Sequence, residues 1–549
     1  MIRAGEYASF EDACARFRWN VPERYNLAEA VCGRHAGDPA AVALIYEDAT
    51  GRARPYTFAE LDRRGSRFAN VLAGLGVGRG DRVALIMPQR PEVLVAHLGV
   101  CKLGAIAVPL SRLYAAAALE YRLGHSGTAV VVADAPNAVK VEEIADRLPE
   151  LRRVLVSDPG APPEQDLAGL LDRASDRHAA AETLAEDPSM ILYTSGTTGP
   201  PKGSLEAHRK LIGFVPPFQL LHNFAPRPDD VFWTPADWAW VGGLFDLLLT
   251  AWWCGRPVIG TAGGRFDPEG ALALMARHRV TGVFLPPTAL RMMMEVPNPR
   301  RFGLALRTIT SGGEPVNPEI VAWAKESLGV PVHEFYGQTE TTFYVGNCSA
   351  LFPVRPGSMG RVFPGYRVRL MDEAGEEVPV GEVGEIGVHR DAPSVLLGYW
   401  KDPEATRGKF AGDWFRTGDT ARRDADGYLW FQGRNDDLIK SAGYRIGPAE
   451  VEAAMLAHPA VAEAAAVGIP DAVRGQIVKG FVRLKAGAGA SPGLAKEIQE
   501  TVKRRLAAHQ YPRDIEFVED FPRTTTGKIK RSELRPQEAR GRGGSPGGA

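Results

Sequence analysis

Eleven residues, Tyr193-Thr-Ser-Gly-Thr-Thr-Gly-Pro-Pro-Lys-Gly203, carry the hydroxyls of Thr194, Ser195, Thr197 and Thr198, three glycines and a lysine, directly after the apolar run Met190-Ile-Leu192. Glycines let a backbone bend with its N–H groups turned inward, and hydroxyls and an ammonium add further donors, so the segment suits a polyphosphate. It is not the common phosphate loop, which needs Gly-x-x-x-x-Gly-Lys-Ser/Thr. Here Lys202 stands three residues after Gly199 and is followed by Gly203. A Gly/Thr-rich surface turn is the plainer alternative, but it gives no reason for a lysine at a fixed place.

Five further segments bear groups that could do chemistry. Ser311-Gly-Gly-Glu-Pro315 follows an expected strand, and its glycines would let a flat ring approach the backbone. Glu334-Phe-Tyr-Gly-Gln-Thr-Glu340 supplies an aromatic ring, a hydroxyl and a carboxylate in one run. Thr417-Gly-Asp419 and Gly433-Arg434 offer a carboxylate and a guanidinium; a carboxylate can accept from both hydroxyls of a cis-diol. Gly443-Tyr-Arg-Ile-Gly-Pro-Ala-Glu450 contains Arg445, and Pro522-Arg-Thr-Thr-Thr-Gly-Lys528 ends in a lysine. Taken singly, each has a bland reading: a strand-end turn, a surface carboxylate, a loop and helix start, a solvated basic patch.

Together and in this order they resemble the motif series of the adenylate-forming enzymes, which include acyl-CoA synthetases, peptide-synthetase adenylation domains and luciferases. The resemblance covers nearly the whole chain and is strongest to short- and medium-chain acyl-CoA synthetases of the acetyl-CoA synthetase kind. It implies that Thr194, Ser195, Gly196, Thr197, Thr198 and Lys202 bind the phosphates of ATP. It lays Gly313, Glu314 and Pro315 along the adenine, with Tyr336 stacked on the ring. It gives Thr339 to the α-phosphate and Glu340 to Mg²⁺; a phosphate-bound magnesium needs only one or two protein carboxylates. Asp419 falls to the ribose hydroxyls with Arg434 beside it, and Arg445 to the phosphate or the second substrate. Lys528 bridges the incoming carboxylate and the α-phosphate, where a cation cancels repulsion between anions.

The implied reaction has two steps. A carboxylic acid and ATP give acyl-adenylate and pyrophosphate; a thiol, expected to be that of coenzyme A, then displaces AMP. One site must host both, and the family rotates a small domain about a hinge that matches Asp436. Trp233-Thr-Pro-Ala-Asp-Trp-Ala-Trp-Val-Gly-Gly243 resembles the acyl-site stretch of acetyl- and medium-chain synthetases, so the acyl pocket maps onto Trp240, Val241, Gly242, Gly312 and Gly337. Acetate-specific enzymes carry tryptophan at the position of Gly337. Three small residues imply a roomy pocket and a medium-chain, branched or aromatic acid. Two alternatives stay open: transfer to a carrier-protein thiol, and a nucleotide-binding homologue without catalysis.

Alternating apolar strands (Val83–Met87, Ala105–Leu110, Thr128–Ala133) around a helix over Pro91–Leu103 predict parallel βαβ units. After about residue 360, polar and apolar residues alternate between Gly/Asp turns, as in antiparallel strands. The expected fold is α/β: a large N-terminal domain of βαβ subdomains with a small β-barrel-like part, and a small mobile α+β C-terminal domain. Expected bounds are 1–433 for the AMP-binding domain, 434–437 for the hinge, 438–535 for the mobile domain and 536–549 for a disordered Gly-rich tail.

A chain of 549 residues exceeds one ordinary core, and a net charge of -1 gives no attraction to nucleic acid or membrane. No apolar run reaches membrane-spanning length and no signal region opens the chain, so a soluble cytoplasmic protein is expected. The five cysteines are scattered and predict reduced, buried thiols.

Overall fold

The computed structural model describes residues 2–3, 5–194, 200–437, 439–441, 444–471, 474–506, 510–523 and 528–535; in addition, nothing is described for the side chains of Asp436, Lys440, Tyr444, Arg445 and Gly475. Two compact units are present. The first comprises Met1–Pro356, Gly360–Arg367 and His389–Asp413, and the second Gly357–Met359, Val368–Val388 and Trp414–Ala549. The second unit thus takes in sequence well before the expected hinge, and residues 434–437 lie inside it.

The first unit contains two sheets. One has seven strands in the spatial order Gly398–Tyr399, Lys202–Ala207, Pro188–Thr194, Ile106–Pro109, Arg82–Ile86, Thr128–Ala133 and Arg153–Val156. Its centre is parallel, and every residue of Ile106–Pro109 and Thr128–Ala133 is buried, as expected for strands covered on both faces. The helix expected after the first strand runs Pro91–Leu103, starts on proline and ends on Gly104 at φ 72°, the left-handed conformation that favours glycine. It crosses helix Phe58–Gly74 closely: a Cβ on Gly99 would stand 2.9 Å from the Gly65 carbonyl oxygen.

The other sheet runs, within this unit, Gly360–Val362, Thr342–Gly346, Val332–Gln338, Thr308–Gly312, Gly282–Phe284, Phe232–Trp233, Val258–Thr261, Val42–Glu47 and Ala53–Thr57. From Val332–Gln338 to Val42–Glu47 it is parallel, so a row of strand C-termini shares one edge. Ligands of open α/β sheets bind at that edge.

In the second unit, Val368–Met371 pairs antiparallel with Val383–His389, and Trp414–Arg423 pairs antiparallel with Tyr428–Arg434. The strands Val461–Asp471 and Gly475–Leu484 form the spine of a further sheet that packs helices Pro448–Leu456 and Pro492–Arg505 around Ile439, Val451, Met455, Val478, Ile498 and Val502. All five cysteines are unpaired; four are buried, but Cys14 is exposed, which corrects the expectation of five buried thiols. Among the described residues no helix is long and apolar enough to cross a membrane. The tail 536–549 lies outside the described residues.

Candidate active site

Strands Pro188–Thr194 and Lys202–Ala207 pair antiparallel up to Thr194↔Lys202. Tyr193 fastens the first strand from outside, its hydroxyl donating to the Arg122 carbonyl at 3.0 Å. Thr194 Oγ1 donates to the Lys202 carbonyl at 3.4 Å. Ser195, Gly196, Thr197 and Thr198, the centre of the expected phosphate cradle, lie outside the described residues. Lys202 Nζ stands 5.2 Å from the centre of the Tyr399 ring, a cation–π distance. Tyr399 lies on the short strand that pairs with Ser204 and Leu205, and its hydroxyl donates to Glu340 Oε1 at 2.9 Å. The sequence motifs of Lys202 and Glu340, far apart in the chain, are therefore joined through one tyrosine.

Thr339 and Glu340 occupy the tight turn between Val332–Gln338 and Thr342–Gly346. Thr341 N donates to the Gln338 carbonyl at 3.1 Å, and Thr342 takes φ 84°, a costly conformation for a β-branched residue. The turn is held from behind. Lys210, with a side chain 1% exposed, donates to the Thr339 carbonyl at 2.7 Å and the Ser394 carbonyl at 3.2 Å, and pairs with Glu206 Oε2 at 2.8 Å. Those three partners use all three ammonium hydrogens. Glu206 is fully buried and also accepts from Ser204 Oγ at 2.7 Å. Burial pushes its carboxyl above the usual range, and Lys210 opposes that rise. Leu396 N closes the frame on the Glu340 carbonyl at 2.9 Å.

After the neighbouring parallel strand, Gly313, Glu314 and Pro315 follow Thr308–Gly312 at the C-terminal edge of the sheet. Gly313 has φ 87° and open space where a Cβ would stand, while Glu314 receives Arg291 Nη2 at 3.4 Å. Val316 N donates to Glu334 Oε1 at 3.2 Å, tying this turn to the neighbouring strand. Glu334 is buried, and burial pushes its carboxyl up to about 8. Tyr336, two residues on, meets Tyr344 edge to face at 5.6 Å between ring centres.

The expected acyl-pocket residues divide. Trp240 packs against Tyr114 at 6.1 Å and joins the apolar core of the seven-stranded sheet, with Val241 next to it in sequence. A Cβ on Gly242 would stand 3.0 Å from Phe284 Cε1. One on Gly312 would stand 2.7 Å from Phe335 Cε2, and one on Gly337 only 1.8 Å from the Thr342 carbonyl oxygen. The smallness of Gly312 and Gly337 is thus already used by a phenylalanine ring and by the pinched turn. Their glycines do not measure spare pocket volume, which corrects the inference of pocket size from them. Phe284, Phe335 and Phe343 link the positions instead, with ring centres 5.6 and 5.0 Å apart.

In the second unit Asp419 and Arg434 are register partners across paired strands, with Arg434 Nε 3.8 Å from Asp419 Oδ1. Asp419 is 6% exposed, and its backbone N–H donates to Thr417 Oγ1 at 3.1 Å. Gly418 N donates to Glu385 Oε1 at 3.0 Å, and Arg416 Nε to Glu385 Oε2 at 2.9 Å, so the strand is tied on both sides of the glycine. Asp436 falls in the single turn Asn435–Asp437 and Arg445 on strand Tyr444–Ile446, their side chains outside the described residues. Lys528 is exposed. It is one residue before Ile529, which bridges to Arg523, and Arg523 Nη2 donates to both oxygens of Glu463 at 2.9 and 2.8 Å.

Sequence reading missed Glu206, Lys210 and Tyr399. The signal for the first two was present as a Glu and a Lys at i, i+4 where strand Lys202–Ala207 gives way to helix Lys210–Leu221, within an otherwise apolar surrounding. Nothing near Tyr399 in sequence points to Glu340.

Residues 30–400 match the family model described as AMP-binding enzyme, and residues 450–528 the model of the AMP-binding enzyme C-terminal domain. The chain is 36% identical over 528 residues to a protein of Bacillus subtilis (strain 168) called an uncharacterized acyl–CoA ligase, YtcI, covering 94% of this chain and 97% of that one. It is 35% identical to the acetyl-coenzyme A synthetase of the same organism, covering 94% and 91%. Its fold matches the crystal structure of the anthranilate CoA ligase AuaEII in complex with anthranoyl-AMP with a TM-score of 0.85 and 30% identity, covering 95% and 98%.

Proposed function

We propose a division of labour and a substrate class for a chain that belongs to the AMP-binding enzyme family and makes acyl-CoA from an acid, ATP and coenzyme A through an acyl-AMP intermediate. The observation that carries the proposal is the convergence of Lys202, Tyr399 and Glu340 beside Thr339, on a turn clamped by Lys210. Thr194, Lys202 and the intervening hydroxyls of Ser195, Thr197 and Thr198, with Gly196, cradle the triphosphate. Gly313, Glu314, Pro315 and Tyr336 take the adenine, Asp419 the ribose hydroxyls with Arg434 beside it, and Arg445 a phosphate or the thiol substrate.

In the first step a carboxylate oxygen bonds to the α-phosphorus, the bond from that phosphorus to the bridging oxygen breaks, and pyrophosphate leaves. Thr339 donates to the α-phosphate, and Lys528 holds acid and phosphate together as charge builds. Glu340 fits a magnesium ion that rides on the phosphates: Tyr399 takes only its Oε1, and among the described residues no cluster of three metal-ligating side chains exists to bind a metal outright. Such an ion supplies neutralisation of phosphate charge. In the second step the thiol sulfur of coenzyme A bonds to the acyl carbon, AMP leaves with the former carboxylate oxygen, and the thiol proton passes to solvent. Lys528 has no task there, and a turn about Asp436 serves to withdraw it. The cytoplasm, which supplies ATP and reduced coenzyme A, is the compartment this chemistry suits.

The acid we assign is medium-chain, branched or aromatic. Support comes from the phenylalanine walls around Gly242 and Gly312 and from the likeness to a ligase named for an aromatic acid. Against such walls acetate forgoes about 0.8 kcal/mol for every CH₂ it lacks. The test is pyrophosphate release from ATP and Mg²⁺ with acids from acetate to decanoate and benzoate, with and without coenzyme A. Sustained turnover should need both acid and coenzyme A and favour hexanoate or benzoate. Equal kcat/KM on acetate and hexanoate would sink the substrate class.

A further inference from the structure

We propose that Asp246 is the specificity-determining group of the acyl pocket, and that the acid used here carries a hydroxyl or amino group on its apolar body. The proposal deepens the ligase reading above and rests on it.

Asp246 sits in the wide helical turn Leu244–Leu249, whose other five residues, Leu244, Phe245, Leu247, Leu248 and Leu249, are all buried and apolar. Such π-type turns recur where a helix is locally reshaped for function. One turn before it is Gly242: a Cβ there would lie 3.7 Å from Asp246 Oδ2 and 3.0 Å from the Phe284 ring. The carboxyl therefore faces the same space as the Phe284 wall, and Phe335, next along that wall, packs under Gly312.

Two properties mark it as a group awaiting a partner. Among the described residues no hydrogen bond reaches its carboxyl, although almost every other buried acid near the site has one, as Glu206 and Glu334 do. Burial pushes the carboxyl well above its usual range, with Lys210 the one charged group that opposes the rise. The residue as a whole is only half-buried. A desolvated carboxyl beside Gly242 and the Phe284 ring offers a hydrogen-bonding site to an acid that packs against that ring. An apolar acid packed against it would displace water and leave the carboxyl unmatched. Sites built to bond a substrate hydroxyl reject the analogue without it far more strongly than apolar pockets reject an extra methyl.

Matched acids provide the test: the three hydroxybenzoates and aminobenzoates against the three methylbenzoates, and 6-hydroxyhexanoate against heptanoate, each assayed for coenzyme A-dependent pyrophosphate release. The wild-type enzyme should favour at least one donor-bearing acid over its methyl isostere by about tenfold or more in kcat/KM. Asp246→Leu should reverse that preference, while Asp246→Asn, which still accepts and donates, should retain part of it. A wild-type enzyme that favours the methyl isostere throughout, or does not discriminate, overturns the proposal. So does an Asp246→Leu enzyme that folds and keeps the wild-type ratios; if it does not fold, the ratios of wild type and Asp246→Asn decide. Turnover of methylbenzoates with coenzyme A would leave the ligase reading standing while this proposal fell.

Discussion

Glu340 and Lys528 are two charged groups that the proposed mechanism gives to the same reactants, and each is set in different surroundings within its own unit. Behind Glu340 and Thr339 lies a frame with hardly any freedom: Lys210 and Glu206 are sealed from water, the Thr339 and Glu340 carbonyls are both bonded, and Tyr399 holds one carboxylate oxygen. Lys528 is exposed, next to Ile529, which bridges to Arg523, and Arg523 in turn pairs with Glu463. The difference suits the work proposed for each. Groups that keep one geometry on a phosphate through the whole cycle gain from preorganisation, whereas a group needed in one half-reaction gains from being movable.

The strongest way to break the rigid side is Lys210→Met. Removing the ammonium leaves Glu206 charged or protonated without its partner in a sealed site, and about 3–5 kcal/mol of stability should go. Denaturant unfolding of Lys210→Met beside the double variant Glu206→Gln/Lys210→Met separates the two roles. The double variant should recover much of the stability, yet keep a raised KM for ATP because the Thr339 carbonyl is no longer clamped. Recovery of a wild-type KM would mean that the pair serves folding alone.

A smaller effect sharpens the same picture. Glu334 keeps its proton in the folded protein up to about pH 8, whereas in the unfolded chain it ionises near the ordinary value of 4.5. Between those values the folded state binds the extra proton, so this residue's contribution to stability falls as pH rises from about 4.5 and levels off above about 8. Glu334→Gln should flatten that decline. Thermal midpoints of wild type and variant, measured across pH 4.5 to 9, should diverge in favour of the variant as pH rises; parallel curves would show that Glu334 ionises freely.

Much of the architecture was legible because its periodicities are simple. The all-apolar runs at 83–87, 105–110 and 128–133 became buried parallel strands, and the Pro91-to-Gly104 punctuation marked its helix to the residue. Of the motif series, Lys202 and Glu340 were singled out from local spacing alone, and the structure joins them through Tyr399. What was not legible was tertiary. Tyr399 reaches Glu340 only because a two-residue strand adds to Ser204 and Leu205. Gly337 looked like room for a substrate, but its missing side chain makes way for the Thr342 carbonyl, and no spacing rule distinguishes those uses. The division into units likewise depends on which strands pair, so residues 368–388 joined the second unit against their place in the chain.

The proposed contrast, a Glu340 that stays on the phosphates and a Lys528 that is withdrawn after the first step, is tested most directly by taking the two half-reactions apart in Lys528→Ala. Rapid-quench measurement of acyl-adenylate formation from acid and ATP should show a loss of about 10²–10³-fold, the usual cost of one preorganised charge donor. Thioester formation from supplied acyl-adenylate and coenzyme A should proceed at close to the wild-type rate. Equal losses in both halves would contradict the account, because Lys528 would then be part of the fixed machinery.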